Sequence, residues 1–218
     1  MKIVWLGHAA FFITAQSGTR ILTDPYEAGS YDGALAYKPI GEEADVVTVS
    51  HQHADHYDPE GVKGHPEIVL GPGAHTAGGI IFKGIPTFHD PKGGAERGEN
   101  VVFVFDVDGL TVCHLGDLGH VLTEEQISEI GKVDVALVPV GGFYTIDANE
   151  ATEIVDRLSS KIVIPMHYKT ESCRFPIAPV DDFLKDKTNV EQIDGSEMSL
   201  TKEELPTETH IKVLKHKL

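Results

Sequence analysis

The chain has 218 residues, with 18 Lys+Arg against 34 Asp+Glu for a formal net charge of −16, and an ordinary globular balance of 41% hydrophobic and 24% charged residues. That length suits one domain, residues 1–218, large enough to bury roughly 70% of its unfolded surface and to fold without disulfides. The charge argues against nucleic acid as a partner, since a phosphate backbone wants a Lys/Arg surface, and points to a small-molecule substrate. The longest apolar stretches, such as residues 9–15 and 101–105, fall far short of the ~20 residues of a spanning helix. The first residues, Met1-Lys2-Ile3-Val4-Trp5-Leu6, run into Gly7-His8 without an export-signal core. Cys113 and Cys173 make no disulfide framework. The expected location is the cytoplasm, with no membrane partner; a homo-oligomer is not legible.

In chain order, residues 2–6, 11–14 and 20–23 read as a meander of strands separated by turns. The run 45–50 (DVVTVS) has the Val/Thr content of a buried strand and ends where histidines cluster. Short strands are expected at 67–70 and 80–82, and strands 101–107 and 110–114 flank the hairpin dipeptide Asp108-Gly109. Thr123–Gln126 and Asp147–Glu150 fit the capping box, so a helix should start at each. In the second helix Ala151, Ile154, Val155 and Leu158 recur at helical spacing and mark its core face. Strands 134–140 and 161–165 follow the two helices, a third helix is expected over 180–187, and a last strand over 211–214 after an acidic surface excursion at 191–209. Strands first, then strands alternating with helices, describe an α+β layered domain.

One segment carries the chemistry: His51-Gln52-His53-Ala54-Asp55-His56, directly after a buried strand. Residues two apart in an extended chain point the same way, so His51 and His53 can grip one cation. Asp55 and His56 lie further on and can address a second. Neutral imidazole suits Zn²⁺ and neighbouring transition metals, and a carboxylate adds the charge that favours a second ion. The plain alternative is a solvated polar loop. Further donors stand at the ends of expected strands: His89, Asp117 in His114-Leu115-Gly116-Asp117, and His167.

Together with Gly7-His8-Ala9-Ala10-Phe11, Leu22-Thr23-Asp24-Pro25, Arg97-Gly98-Glu99-Asn100 and Pro165-Met166-His167-Tyr168, these residues resemble the metallo-β-lactamase-fold hydrolases. More narrowly, the chain is similar to the compact branch of metal-dependent hydrolases related to ascorbate-6-phosphate lactonase. The resemblance implies a four-layer αββα sandwich with a dinuclear site on its edge. It implies that His51, His53 and His89 hold one metal, that Asp55, His56 and His167 hold the other, and that Asp117 bridges them. The cofactors would be two divalent metal ions, Zn²⁺ first, with Mn²⁺ or Fe²⁺ tolerated by the same donors. Two departures narrow the subclass: the bridging position is Asp117 rather than the Cys of true zinc β-lactamases, and His56 follows Asp55 where some of those enzymes lack it.

The expected activity is hydrolysis of a small ester-like substrate, a phosphodiester, lactone or related compound, by a hydroxide shared between the two ions. Catalytic roles fall to Asp55 and Asp117, and to His8 or His114 in helping the leaving group depart; both histidines are equally compatible with a satisfied core group. Asp24 is expected to accept a hydrogen bond from a ligand histidine, and Tyr144 and Tyr168 to approach the substrate. His75, in Gly71-Pro72-Gly73-Ala74-His75, competes with His89 as the isolated ligand and reads as a loop residue. The alternatives in other classes are a non-hydrolytic di-iron redox protein or a metal-binding scaffold on the same fold. The chain carries no flavin-binding region for the first and keeps seven ligand candidates intact against the second.

Overall fold

A computed structural model describes all 218 residues as two mixed sheets packed face to face. The first half supplies β1 (Lys2–Gly7), β2 (Ala10–Thr14), β3 (Arg20–Thr23), the one-turn α1 (Ser30–Gly33), β4 (Val46–Val49) and β5 (Glu67–Leu70). Then follow β6 (Gly73–Ala77), β7 (Ile80–Phe88), β8 (Glu99–Val107), β9 (Leu110–His114), α2 (Glu124–Ile130), β10 (Val135–Pro139), α3 (Ala148–Leu158) and β11 (Ile162–Met166). The chain ends with α4 (Val180–Leu184), β12 (Val190–Gln192), β13 (Glu197–Ser199) and β14 (His210–Val213). One sheet has six strands in the order β13-β1-β2-β3-β4-β5, and the other has eight in the order β12-β14-β11-β10-β9-β8-β7-β6.

Alternation along the strands builds the layers. Ile3 and Trp5 of β1 enter the core between the sheets with Phe11, Ile13, Ile21 and Val46. Their neighbours Val4 and Leu6 face the other way, into a second apolar layer with Leu22, Val47 and Val49. That outer layer is closed by Tyr26, Leu35, Tyr37 and Phe175, from irregular segments around α1 and after β11. β10 pairs in parallel with strands on both sides and is buried at every residue, as its unbroken VALVP run requires. The amphipathic α3 covers that sheet, burying Ala151, Ile154, Val155 and Leu158. Both capping boxes form, at Thr123 and at Asp147. Asp108 and Gly109 both take positive φ, 54° and 76°, the type I′ geometry that joins β8 to β9.

Four expectations need correction. The strand expected at 80–82 runs on to Phe88, because Gly84 and Pro86 continue the ladder with β8 instead of breaking it. The loop assigned to His75 is the edge strand β6, and the excursion 191–209 contains β13 and most of β12, which close the two sheets. All three are short, mostly polar edge strands held by main-chain pairing, which leaves no apolar alternation to read. The helix expected over 180–187 stops at Leu184.

Strand direction fixes the site. β1 and β4 run the same way in one sheet, as do β7, β9 and β11 in the other. His8, His51, His89, Asp117 and His167 all follow the C-terminal ends of these strands, so sheet packing delivers them to one edge.

Candidate metal centre

The structure gathers every donor of the expected set. His51, His53 and His89 offer ligand atoms within 4.8 Å of one another; so do His51, His56 and Asp117, and so do His8, Asp55, His56 and His167. Asp117 sits in the middle: its Oδ2 lies 3.3 Å from His89 Nε2 and 3.3 Å from His167 Nε2, and its Oδ1 lies 3.0 Å from His56 Nε2. His75 is elsewhere, its Nε2 donating to the Gly71 carbonyl at 3.0 Å.

Buried groups behind the cluster aim the rings. Asp24 accepts from the Ser50 amide at 2.8 Å, the Ser50 hydroxyl at 2.6 Å and His56 Nδ1 at 2.8 Å. The Ser50 hydroxyl proton is committed to Asp24, so His51 Nδ1, 3.0 Å away, donates to Ser50 Oγ. Both rings therefore carry a proton on Nδ1 and turn Nε2 toward Asp117. Asn100 does the same for the carboxylate: its Oδ1 accepts from the Asp117 amide at 2.9 Å, while its Nδ2 donates to Thr87 Oγ1 and the Leu115 carbonyl. A side chain at Gly116, φ +56°, would overlap Asn100 and Ser50, so the turn before Asp117 requires glycine.

Asp55 is held by His8 Nε2 at 3.1 Å on Oδ2 and by the Tyr31 hydroxyl at 3.0 Å on Oδ1. Burial and the neighbouring His167 push the His8 pKa down to about 4, so a neutral ring donates to Asp55. Burial likewise pushes His51 down to about 3. Burial opposes the charge on Asp117, yet His167 and His56 outweigh it and hold the carboxyl well below its usual range. His114 is buried with both nitrogens committed to main chain, Nε2 to the Ala9 carbonyl at 2.9 Å and Nδ1 to the Gly116 amide at 3.2 Å. It braces the turn before Asp117. Tyr168 lies away from the cluster, packed on Trp5 with ring centroids 5.1 Å apart.

A pocket of about 310 Å³ opens on the cluster, floored by His53, Asp55, His89 and Asp117. Tyr144 walls it, as the sequence suggested, together with Tyr31, Phe175 and Arg97. Tyr31 and Phe175 carry no sequence signal for this place, because α1 and the segment after β11 meet only in the fold. Arg97 opens the Arg97-Gly98-Glu99-Asn100 motif, whose pattern alone does not show that its side chain reaches the pocket.

The donors fit a divalent ion. His51 Nε2 and His167 Nε2 are buried without a hydrogen-bond partner, and His56 Nε2 faces Asp117 Oδ1 at 3.0 Å. Orphaned lone pairs converging on one point are costly unless a cation is to be held there.

Fold and centre together define a metal-dependent hydrolase of the metallo-β-lactamase type. Residues 2–167 match the model of the β-lactamase superfamily domain family. A UPF0173 metal-dependent hydrolase of Pyrococcus abyssi is 31% identical over 195 residues, 78% of this chain and 85% of the relative. One of Methanoregula boonei is 32% identical over 193 residues, 78% of this chain and 83% of the relative. The crystal structure of a Thermotoga maritima protein assigned as a Zn-dependent hydrolase of the metallo-β-lactamase superfamily superposes with a TM-score of 0.81 at 46% identity, covering 99% of each chain. The chain belongs to the β-lactamase superfamily and, within it, to the UPF0173 metal-dependent hydrolases.

Proposed function

We propose that the protein is a dinuclear hydrolase of small ester-like substrates, a phosphodiester, lactone or related compound. His51, His53 and His89 hold one divalent ion, Asp55, His56 and His167 the other, and Asp117 lies between. The observation that carries this reading is the central carboxylate: one Asp117 oxygen faces His89 of the first set and His167 of the second at 3.3 Å each. Zn²⁺ suits the nitrogen-rich donors, and Mn²⁺ or Fe²⁺ can occupy them. When bound, the ions lower the pKa of a coordinated water toward about 7 and polarise the oxygen that gains charge.

The chain's own residues do the rest. Asp24 and Ser50 keep the Nε2 lone pairs of His56 and His51 directed inward. Asn100 fixes the Asp117 main chain. Of the two histidines considered for the leaving group, His8 has the link to the pocket, through Asp55, which lines it. His114 has no free nitrogen for that task. Tyr31, Tyr144 and Phe175 shield one side of the pocket from water.

Elemental analysis of protein purified without chelator is expected to give about two transition-metal atoms per chain. Turnover is then tested on bis-p-nitrophenyl phosphate, lactones and thioesters. Asp117→Ala is expected to lose turnover by at least about 100-fold while keeping its circular dichroism spectrum. Wild-type turnover and metal content in that variant would overturn the mechanism, and less than about half an atom per chain after soaking in Zn²⁺ or Mn²⁺ would overturn the ligand set.

A further inference from the structure

The pocket over the metal centre contains one permanently charged cation, Arg97, in a protein of net charge −16. Its main chain is fixed relative to the cluster. Asp90, next to the donor His89, accepts from the amides of Lys92, Gly94, Glu96 and Arg97 at 2.7–3.1 Å. The loop closes where the His89 amide donates to the Gly98 carbonyl at 3.0 Å. The guanidinium at the end of this fixed loop is underused. It stands 5.6 Å over the Tyr144 ring, and its ionic contact is Glu96 at 3.8 Å, beyond hydrogen-bond reach. Glu96 is itself engaged by Lys92 at 2.6 Å. Arg20 and Arg157, by contrast, hydrogen-bond carboxylates at 2.7 Å. A guanidinium with free donors, set over an aromatic ring in the wall of a pocket, matches the planar fork of a carboxylate or phosphate.

We infer that Arg97 is a specificity-determining residue that binds an anionic group, carboxylate or phosphate, carried by the substrate away from the bond that is cut. The inference rests on the hydrolase reading above and narrows its substrate class to anionic esters or lactones. The metal cluster takes the scissile group, Tyr144 and Phe175 take the body of the substrate, and Arg97 takes the anion. Tyr144 lies against the guanidinium and limits its search among rotamers.

The test uses metal-loaded protein and matched aryl acetates with a para carboxylate, a para phosphonate or a neutral para carboxamide. Arg97→Met is expected to lower the kcat/KM ratio of anionic to neutral ester by about tenfold or more, through KM, with Arg97→Lys recovering part of it. Loss for the carboxylate ester alone, or the phosphonate ester alone, identifies which anion is read. An unchanged ratio in Arg97→Met, at wild-type metal content and unfolding midpoint, overturns the inference. If the wild type hydrolyses none of the three, the carboxylic-ester reading of the substrate fails on its own. The Kd values of benzoate, phenylphosphonate and benzamide, measured by calorimetry, then decide the Arg97 contact. Weaker binding of either anion to Arg97→Met, with benzamide unchanged, supports it; equal binding of all three by both proteins overturns it.

Discussion

Asp24 shows how much of a metal centre lies behind its ligands. It is fully buried, takes a positive φ of 40°, and touches no pocket atom, yet it sets the direction of the His56 lone pair and, through Ser50, that of His51. Burial alone would raise its pKa, but the neighbouring His114 and the His56 and Ser50 side chains that donate to it keep it lowered, so it stays an acceptor. Asp24→Asn keeps the volume and replaces one acceptor oxygen with an amide donor. It is expected to weaken metal binding about 10–100-fold, measured by competition with a chromogenic chelator, while the remaining donors stay in place. Wild-type affinity would show that His56 orients itself by packing. At this scale His8 and His114 separate: the sequence left both open between core group and catalyst, and their hydrogen-bond partners assign one to Asp55 and the other to the main chain.

Among the elements, the loop between β7 and β8 has the clearest dependence on one charge. Asp90 gathers four amides, and although burial opposes its charge those bonds bring its pKa down to about 2. A folded pKa below the unfolded value means that the stabilisation is complete above the ordinary carboxyl range and disappears as pH falls toward about 2. Amide exchange at Lys92, Gly94, Glu96 and Arg97 is therefore expected to lose protection in that acid window while the strands flanking the loop stay protected. Asp90→Ala should remove the protection at neutral pH. Uniform protection across the window would mean that the loop is held by its Gly94–Gly98 closure and not by the carboxylate. The same loop carries Arg97, so its order and substrate selectivity should change together.

The whole molecule packs two carboxylates, Asp55 and Asp117, with six histidines at one sheet edge. Like charges and orphaned lone pairs at that density favour a bound cation over an empty cluster, so metal and fold are linked. Ions at about 1,000 times their Kd should add about 4 kcal/mol, which for a chain of this size raises the unfolding midpoint by on the order of 10 °C. Chelation followed by a thermal scan, with metal re-addition as the control, measures it. An unchanged midpoint in protein shown free of metal by elemental analysis would mean that the cluster is held by the sheets alone. No helix is long and apolar enough to cross a membrane, and the acidic surface leaves Arg97 and the metal centre as the local positive features of the pocket.

The sequence by itself determined the candidate donors and much of the frame, because their signals are local. HxHxDH after a Val/Thr strand, the two capping boxes and the Asp108-Gly109 hairpin each depend on residues a few positions apart, and each forms where its pattern lies. Even the sharing of one edge by His51, His89, Asp117 and His167 was legible as a row of strand ends. What only the tertiary structure decided is whatever depends on distances between remote segments. Tyr31 meets Asp55 across 24 residues, and Asn100 reaches the Asp117 amide across 17. The edge strands β6, β12 and β13 were equally hidden, since main-chain pairing to a neighbour, not a side-chain pattern, makes them strands. A local motif states which atoms can bind a metal; the packing of two sheets sets where those atoms point and which pocket walls face them.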